Sequence, residues 1–92
     1  MELKDFRNKI DFIDDEIIRL FTERMKISSE IALYKLSAGL AVYDARREEE
    51  KFSALENKSP DDIKKYIRPL YKRIFELSRE RQNELISNAE MN

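Results

Sequence analysis

The chain of 92 residues contains no cysteine and no histidine. The first absence removes disulfides and thiol nucleophiles. The second removes imidazole acid–base chemistry, and together they take away the usual zinc ligands, so no metal site is expected. Whatever chemistry the chain performs must use Arg, Lys, carboxylates, Ser, Gln or Tyr. Glycine occurs once and proline twice. With turn punctuators so scarce, a helix-rich chain is expected. No excess of one charge exists either: 18 Lys+Arg stand against 19 Asp+Glu. No global basic field is therefore present to attract nucleic acid. No apolar run approaches a membrane span, and the N-terminal Met1-Glu2-Leu3-Lys4-Asp5-Phe6-Arg7 is charged from its second residue, unlike a secretory leader. A cytoplasmic address without membrane association is the resulting expectation.

What is present organises as a single all-α domain over residues 1–92. From Leu3 to Leu36 neither Pro nor Gly intervenes, and apolar residues recur at Leu3, Phe6, Ile10, Ile13, Ile17, Leu20, Ile27, Ile31 and Tyr34. This alternating three–four spacing predicts one long helix, about 3–36, buried along one seam. Ser37-Ala38-Gly39 ends it, with Gly39 suited to a left-handed position. Asp44 predicts the N-cap of a second helix, about 44–56. Ser59-Pro60-Asp61-Asp62 predicts the opening of a third, about 60–86, with Ser59 as cap and Pro60 in the first helical position. Pro69 inside that stretch is expected to kink it or loosen a turn, and Ser87 to Asn92 to fray.

Length carries a further expectation. A helix over residues 3–36 is about 50 Å long, whereas a compact chain of this size is only ~30 Å across. Two shorter helices cannot cover such a seam. The remainder calls for a second copy, so an intertwined homodimer with helix 1 against helix 1 is expected.

Polar residues interrupt the pattern in an ordered way. The seam calls for an apolar group at position 24, and the chain supplies Arg24. Taken alone, Arg24 reads as a snorkelling or register-fixing residue. Lys35 follows eleven residues later, close to three turns, so it shares a face with Arg24, and the small Ser28 and Ala32 lie between them. Two cations bracketing a small-residue patch suit an anion, although Lys35 alone reads as a solvated lysine. Arg7 lies about 42 Å from Lys35 along the same helix. In an antiparallel helix pair crossing near residues 16 to 17, however, Arg7 of one copy approaches Arg24 of the other. Asp44, Arg47 and Glu48 share one face of helix 2, which also fits plain capping and first-turn pairing. Ser78 and Gln82 share one face of helix 3, where neutral surface polars are the plain reading.

Read in order, these residues resemble the all-helical (AroQ-type) chorismate mutases. The matching stretches are Arg7-Asn8-Lys9-Ile10-Asp11-Phe12-Ile13-Asp14, Glu23-Arg24-Met25, Lys35, and Val42-Tyr43-Asp44-Ala45-Arg46-Arg47-Glu48. Tyr66-Ile67-Arg68-Pro69-Leu70-Tyr71, Ser78 and Gln82 complete the set. The resemblance spans about residues 3 to 86. No single piece is specific, but the ordered set needs no gap between Arg7 and Glu48 and departs from the family at no position used for chemistry.

The resemblance implies three helices per chain, two intertwined chains and two equivalent sites. It implies conversion of chorismate to prephenate, on the way to phenylalanine and tyrosine, without a cofactor. That rearrangement breaks an ether C–O bond and forms a C–C bond in one step, so the lack of His and Cys is no obstacle. By resemblance, Arg24, Arg47 and the partner's Arg7 clamp the two carboxylates, with Ser78 assisting. Lys35 and Gln82 donate to the ether oxygen as it gains charge, and Glu48, with Asp44, holds the ring hydroxyl. Rigid guanidinium forks suit carboxylates, and donors preorganised at a developing charge lower a barrier. Two other readings stand beside this one. An isochorismate–pyruvate lyase on the same fold binds a similar dianion, but the Asp44…Arg47-Glu48 set looks like the mutase pattern. A non-catalytic helical dimerisation module accounts for the seam but not for Arg24, Lys35, Arg47 and Gln82 at matching intervals. The chain has no room for a separate amino-acid-binding domain, so no built-in feedback control is expected; docking onto another shikimate-pathway enzyme is left open.

Overall fold

Three helices follow one another in a computed structural model that describes residues 1–91: α1 (Leu3–Ala38), α2 (Ala45–Asn57) and α3 (Lys64–Met91). Each boundary has a local cause. At the start of α1 the Asp5 carboxylate accepts the Glu2 backbone N–H at 2.9 Å, placing an acid on the positive end of the helix. At its end, Gly39 takes φ 68° and ψ 29°, its N–H bonds the Leu36 carbonyl at 3.3 Å, and Leu40 N–H reaches the Lys35 carbonyl at 2.8 Å. This double closure satisfies carbonyls that a helix end leaves open, and it carries α1 two residues past the expected Leu36. Asp44 caps α2, its Oδ1 accepting the Arg47 N–H at 3.0 Å.

The junction between α2 and α3 departs from the sequence reading. Helix α3 begins at Lys64, not near Pro60. The Ser59 hydroxyl turns back and donates to the Leu55 carbonyl at 2.6 Å, so it serves the end of α2 and does not cap α3. Pro60 then sits in a turn whose carbonyl accepts from Ile63 N at 2.9 Å and Lys64 N at 3.1 Å. This later start places Pro69 within the second turn of α3, which continues through it to Met91. Ser87–Met91, expected to fray, continues α3 as helix; Asn92, the last residue expected to fray, lies outside the described residues.

Helices α1, through its C-terminal half, and α2 each pack on α3. The interior is small: Ser28 and Ala32 from α1, Leu55 from α2, and Phe75, Ser78 and Gln82 from α3. Ala32 is completely buried, and its single methyl lets α1 and α3 approach closely. Phe75 packs its ring 4.9 Å from Phe52 and 5.9 Å from Tyr71, tying α2 to α3. Outside this cluster, Arg68 stacks 4.6 Å over Phe52 and donates to Glu49 (3.0 and 3.2 Å) and Glu56 (3.2 and 2.6 Å). Hydrogen bonding to Glu49, and then to Glu56, raises the Arg68 pKa above its ordinary value, and Arg68 in turn lowers that of Glu49.

The N-terminal half of α1 extends beyond this packing, so the chain measures 55 × 28 × 14 Å. Leu3, Phe6, Ile10, Ile13, Ile17 and Leu20, the whole early seam, are exposed, as are Ile27 and Ile31 further along. No helix among the described residues is long and apolar enough to cross a membrane.

Candidate active site

Where α1, α2 and α3 come together they leave a cavity of about 350 Å³. Its wall contains Arg24 and Lys35 from α1, Asp44, Arg47 and Glu48 from the start of α2, and Ser78 and Gln82 from α3. These are seven of the eight residues singled out from the sequence. The eighth, Arg7, is not in the wall; it lies 17 residues before Arg24 on the same helix, about 25 Å away along the axis.

Each side chain is held by its neighbours. Arg24, half-buried at the break in the seam, donates from Nη1 to Ser78 Oγ at 2.9 Å, and its guanidinium lies 5.5 Å from the Phe75 ring centroid. Gln82 donates from Nε2 to Ser28 Oγ at 2.7 Å, a contact closed off from solvent. An amide NH2 has two hydrogens, so this bond orients the group and leaves one donor free. Lys35 donates from Nζ to the Val42 carbonyl at 2.9 Å, which holds the ammonium over the connector between α1 and α2. Two donors also remain on that ammonium. Arg47 makes no side-chain contact among the described hydrogen bonds and ion pairs; its backbone N–H is the one capped by Asp44.

Glu48 is paired with Arg79, a residue the sequence reading did not single out. Arg79 Nη1 contacts both Glu48 carboxylate oxygens, and the guanidinium lies 4.6 Å over the Tyr43 ring. This hydrogen bonding raises the Arg79 pKa, against the opposing effect of burial. Lys51 and Phe75 also line the wall, and Ser28 proves to be a hydrogen-bonding partner and not merely a small spacer. Arg79 immediately follows Ser78 and could have drawn notice for that, but its acidic partner lies 31 residues away, beyond any local pattern.

Fold and site together define a class: an all-helical chain whose cation-rich cavity, with oriented neutral donors at one side, suits a small carboxylate ligand. The chain belongs to the family described as chorismate mutase type II, whose model matches residues 6–83. It is 43% identical over 54 residues to a bifunctional chorismate mutase/prephenate dehydratase of Aquifex aeolicus (strain VF5), covering 59% of this chain and 15% of that protein. It is 41% identical over 46 residues to the T-protein of Haemophilus influenzae (strain ATCC 51907 / DSM 11121 / KW20 / Rd), covering 50% of this chain and 12% of that protein. The chain thus matches only a small part of the length of either relative. No solved structure matches it.

Proposed function

We propose that the chain rearranges chorismate to prephenate. The observation that carries this reading is the convergence of Arg24, Lys35, Arg47, Glu48, Ser78 and Gln82, from three separate helices, on one cavity. The reaction is internal to one molecule: the ether C–O bond breaks while a C–C bond forms, with no atom lost or gained. The protein's work is to hold a folded dianion and to meet the charge that moves. Arg24, steadied by Ser78 and Phe75, and the unengaged guanidinium of Arg47 take the carboxylates. The free donors of Lys35 and Gln82 meet the ether oxygen as negative charge grows there. Asp44 and Glu48, the two carboxylates in the wall, accept the ring hydroxyl. Holding the reactive shape and stabilising the developing charge can each supply several kcal/mol.

The same reading includes a homodimer, acting in the cytoplasm beside the biosynthesis it serves, with residues 1–92 as one mutase domain in each copy. Its support is the seam from Leu3 to Leu20, six large apolar residues along one helix face that remain exposed among the described residues. A second copy laid antiparallel along α1 would cover that seam and bring its Arg7 to the first copy's Arg24, completing the carboxylate clamp.

Loss of chorismate ultraviolet absorbance on adding the protein, with prephenate as product, is the expected result. Pyruvate release from isochorismate, with chorismate untouched, would replace this reading with the lyase one. Neither reaction, from a folded protein, would leave a dimerisation module.

A further inference from the structure

Glu48 poses an electrostatic problem that the proposed reaction does not solve by itself. The cavity wall carries five cationic side chains, Arg24, Lys35, Arg47, Lys51 and Arg79, and two carboxylates, Asp44 and Glu48. Asp44 is engaged at the positive end of α2, where its Oδ1 holds the Arg47 N–H. Glu48 stands one turn further in, with its side chain only 21% exposed. A bare carboxylate there would repel an incoming dianion. It would also compete for Arg24, Arg47 and Lys35, the groups needed to hold that dianion.

Arg79 answers both effects. It approaches from α3, and its Nη1 takes one lone pair from each Glu48 oxygen. A carboxylate offers about four acceptor positions, so others stay open to an O–H donor. The guanidinium is kept in place from its other side by the Tyr43 ring, on the connector between α1 and α2. Its side chain is 28% exposed, so solvent screens the pair only in part. The link between α2 and α3 does not depend on this pair alone, since Arg68 already bridges those helices through Glu49 and Glu56.

We propose that Arg79 is a positioning residue: it holds Glu48 as a charge-balanced acceptor, so that the cavity takes a dianion bearing a hydroxyl group. Arg79 acts through Glu48 and does not touch the ligand. This rests on the reaction proposed above. Because it concerns how the ground-state ligand is held, its loss falls on KM and much less on kcat.

The test compares chorismate kinetics and thermal unfolding of the full chain with those of Arg79→Met, Arg79→Lys, Glu48→Gln and the double variant Arg79→Met/Glu48→Gln. Arg79→Met strands a carboxylate in the cavity and should raise KM about tenfold, with kcat changed less than about threefold. Arg79→Lys keeps the charge but loses the planar stack on Tyr43 and should raise KM only about threefold. The double variant is the decisive one. Removing both charges should bring KM back to about the level of Glu48→Gln alone, because the harm in Arg79→Met comes from the stranded carboxylate. A structural staple would give the opposite result, with no recovery in the double variant, and that outcome overturns the proposal. So does an Arg79→Met protein with KM within about twofold of the parent. If Arg79→Met does not fold, Arg79→Lys decides, with unchanged KM counting against the proposal. An active parent with indifferent variants removes this inference alone, whereas an inactive parent removes the proposed reaction with it.

Discussion

Mixing two crippled variants tests the shared site most directly. Arg7 and Arg24 sit on one continuous helix, about 25 Å apart along its axis, so no chain can place both on one small ligand. If the partner supplies Arg7, Arg7→Ala and Arg24→Ala each remove a guanidinium from both sites of their own homodimer. Charge-assisted hydrogen bonds are worth about 1.5–3 kcal/mol each, so losing a two-pronged clamp should lower kcat/KM by at least about 10²-fold. In a heterodimer, the Arg7→Ala chain retains Arg24 and the Arg24→Ala chain retains Arg7. One of the two sites then holds both arginines and the other holds neither. Refolding an equal mixture gives heterodimers as about half of all dimers, so activity should recover to about one quarter of the parent's per chain. Heterodimers purified through two different tags should reach about half. The readout is chorismate absorbance, with sedimentation confirming the dimer. Purified, folded heterodimers no more active than the single variants would refute the cross-chain role of Arg7.

Sedimentation of the parent at micromolar concentration should show a dimer whose dissociation coincides with unfolding, because the Leu3–Leu20 seam is exposed among the described residues; a folded monomer would contradict this. Lys35→Ala should lower kcat at least ~10²-fold with a smaller change in substrate affinity, since the ether oxygen becomes a strong acceptor only as its bond lengthens. Gln82→Ala should act in the same direction more weakly, and a stable dimeric Lys35→Ala protein with normal kcat and only a raised KM would defeat the assignment. Phe75→Ala should destabilise the chain by about 3–5 kcal/mol in chemical unfolding, because Phe75 anchors the rings of Phe52 and Tyr71. Arg68 lowers the Glu49 pKa in the folded chain, so that ion pair contributes at neutral pH and its contribution is lost as pH falls through the lowered carboxylate value. Glu49→Gln should therefore lose a little stability near neutrality, shown by unfolding midpoints across the acid range, and become indistinguishable from the parent in strong acid.

Helix α1 was legible because its signals are local and unopposed: no breaker from Leu3 to Leu36, a sustained three–four spacing, and a single Gly39 at the end. Asp44 was legible for the same reason, as a cap followed by first-turn charges. Ser59-Pro60 misled because a serine hydroxyl between two helices can serve either one, and the geometry of the turn gave it to Leu55. Within the site, spacing identified which residues share a face of one helix, so Arg24 with Lys35 and Ser78 with Gln82 could be paired. It could not identify contacts made across helices, which depend on how the helices cross. The Gln82–Ser28 bond joins residues 54 apart and the Arg79–Glu48 pair residues 31 apart, and neither leaves a trace in local spacing.

Half of the buried residues among those described, Ser28, Ser78 and Gln82, are polar, and all three line the cavity. Their partners are supplied within the fold, and no buried side-chain nitrogen or oxygen among the described residues lacks one. The consequence appears when such a protein is improved for heat resistance. The obvious route, replacing buried polar groups by apolar ones, would dismantle the ligand's surroundings. Laboratory evolution that screens for both survival at high temperature and turnover should leave these positions untouched. It should accumulate its changes in the turn after α2 and at the C-terminal end of α3, away from both the cavity and the face of α1 proposed for the second copy.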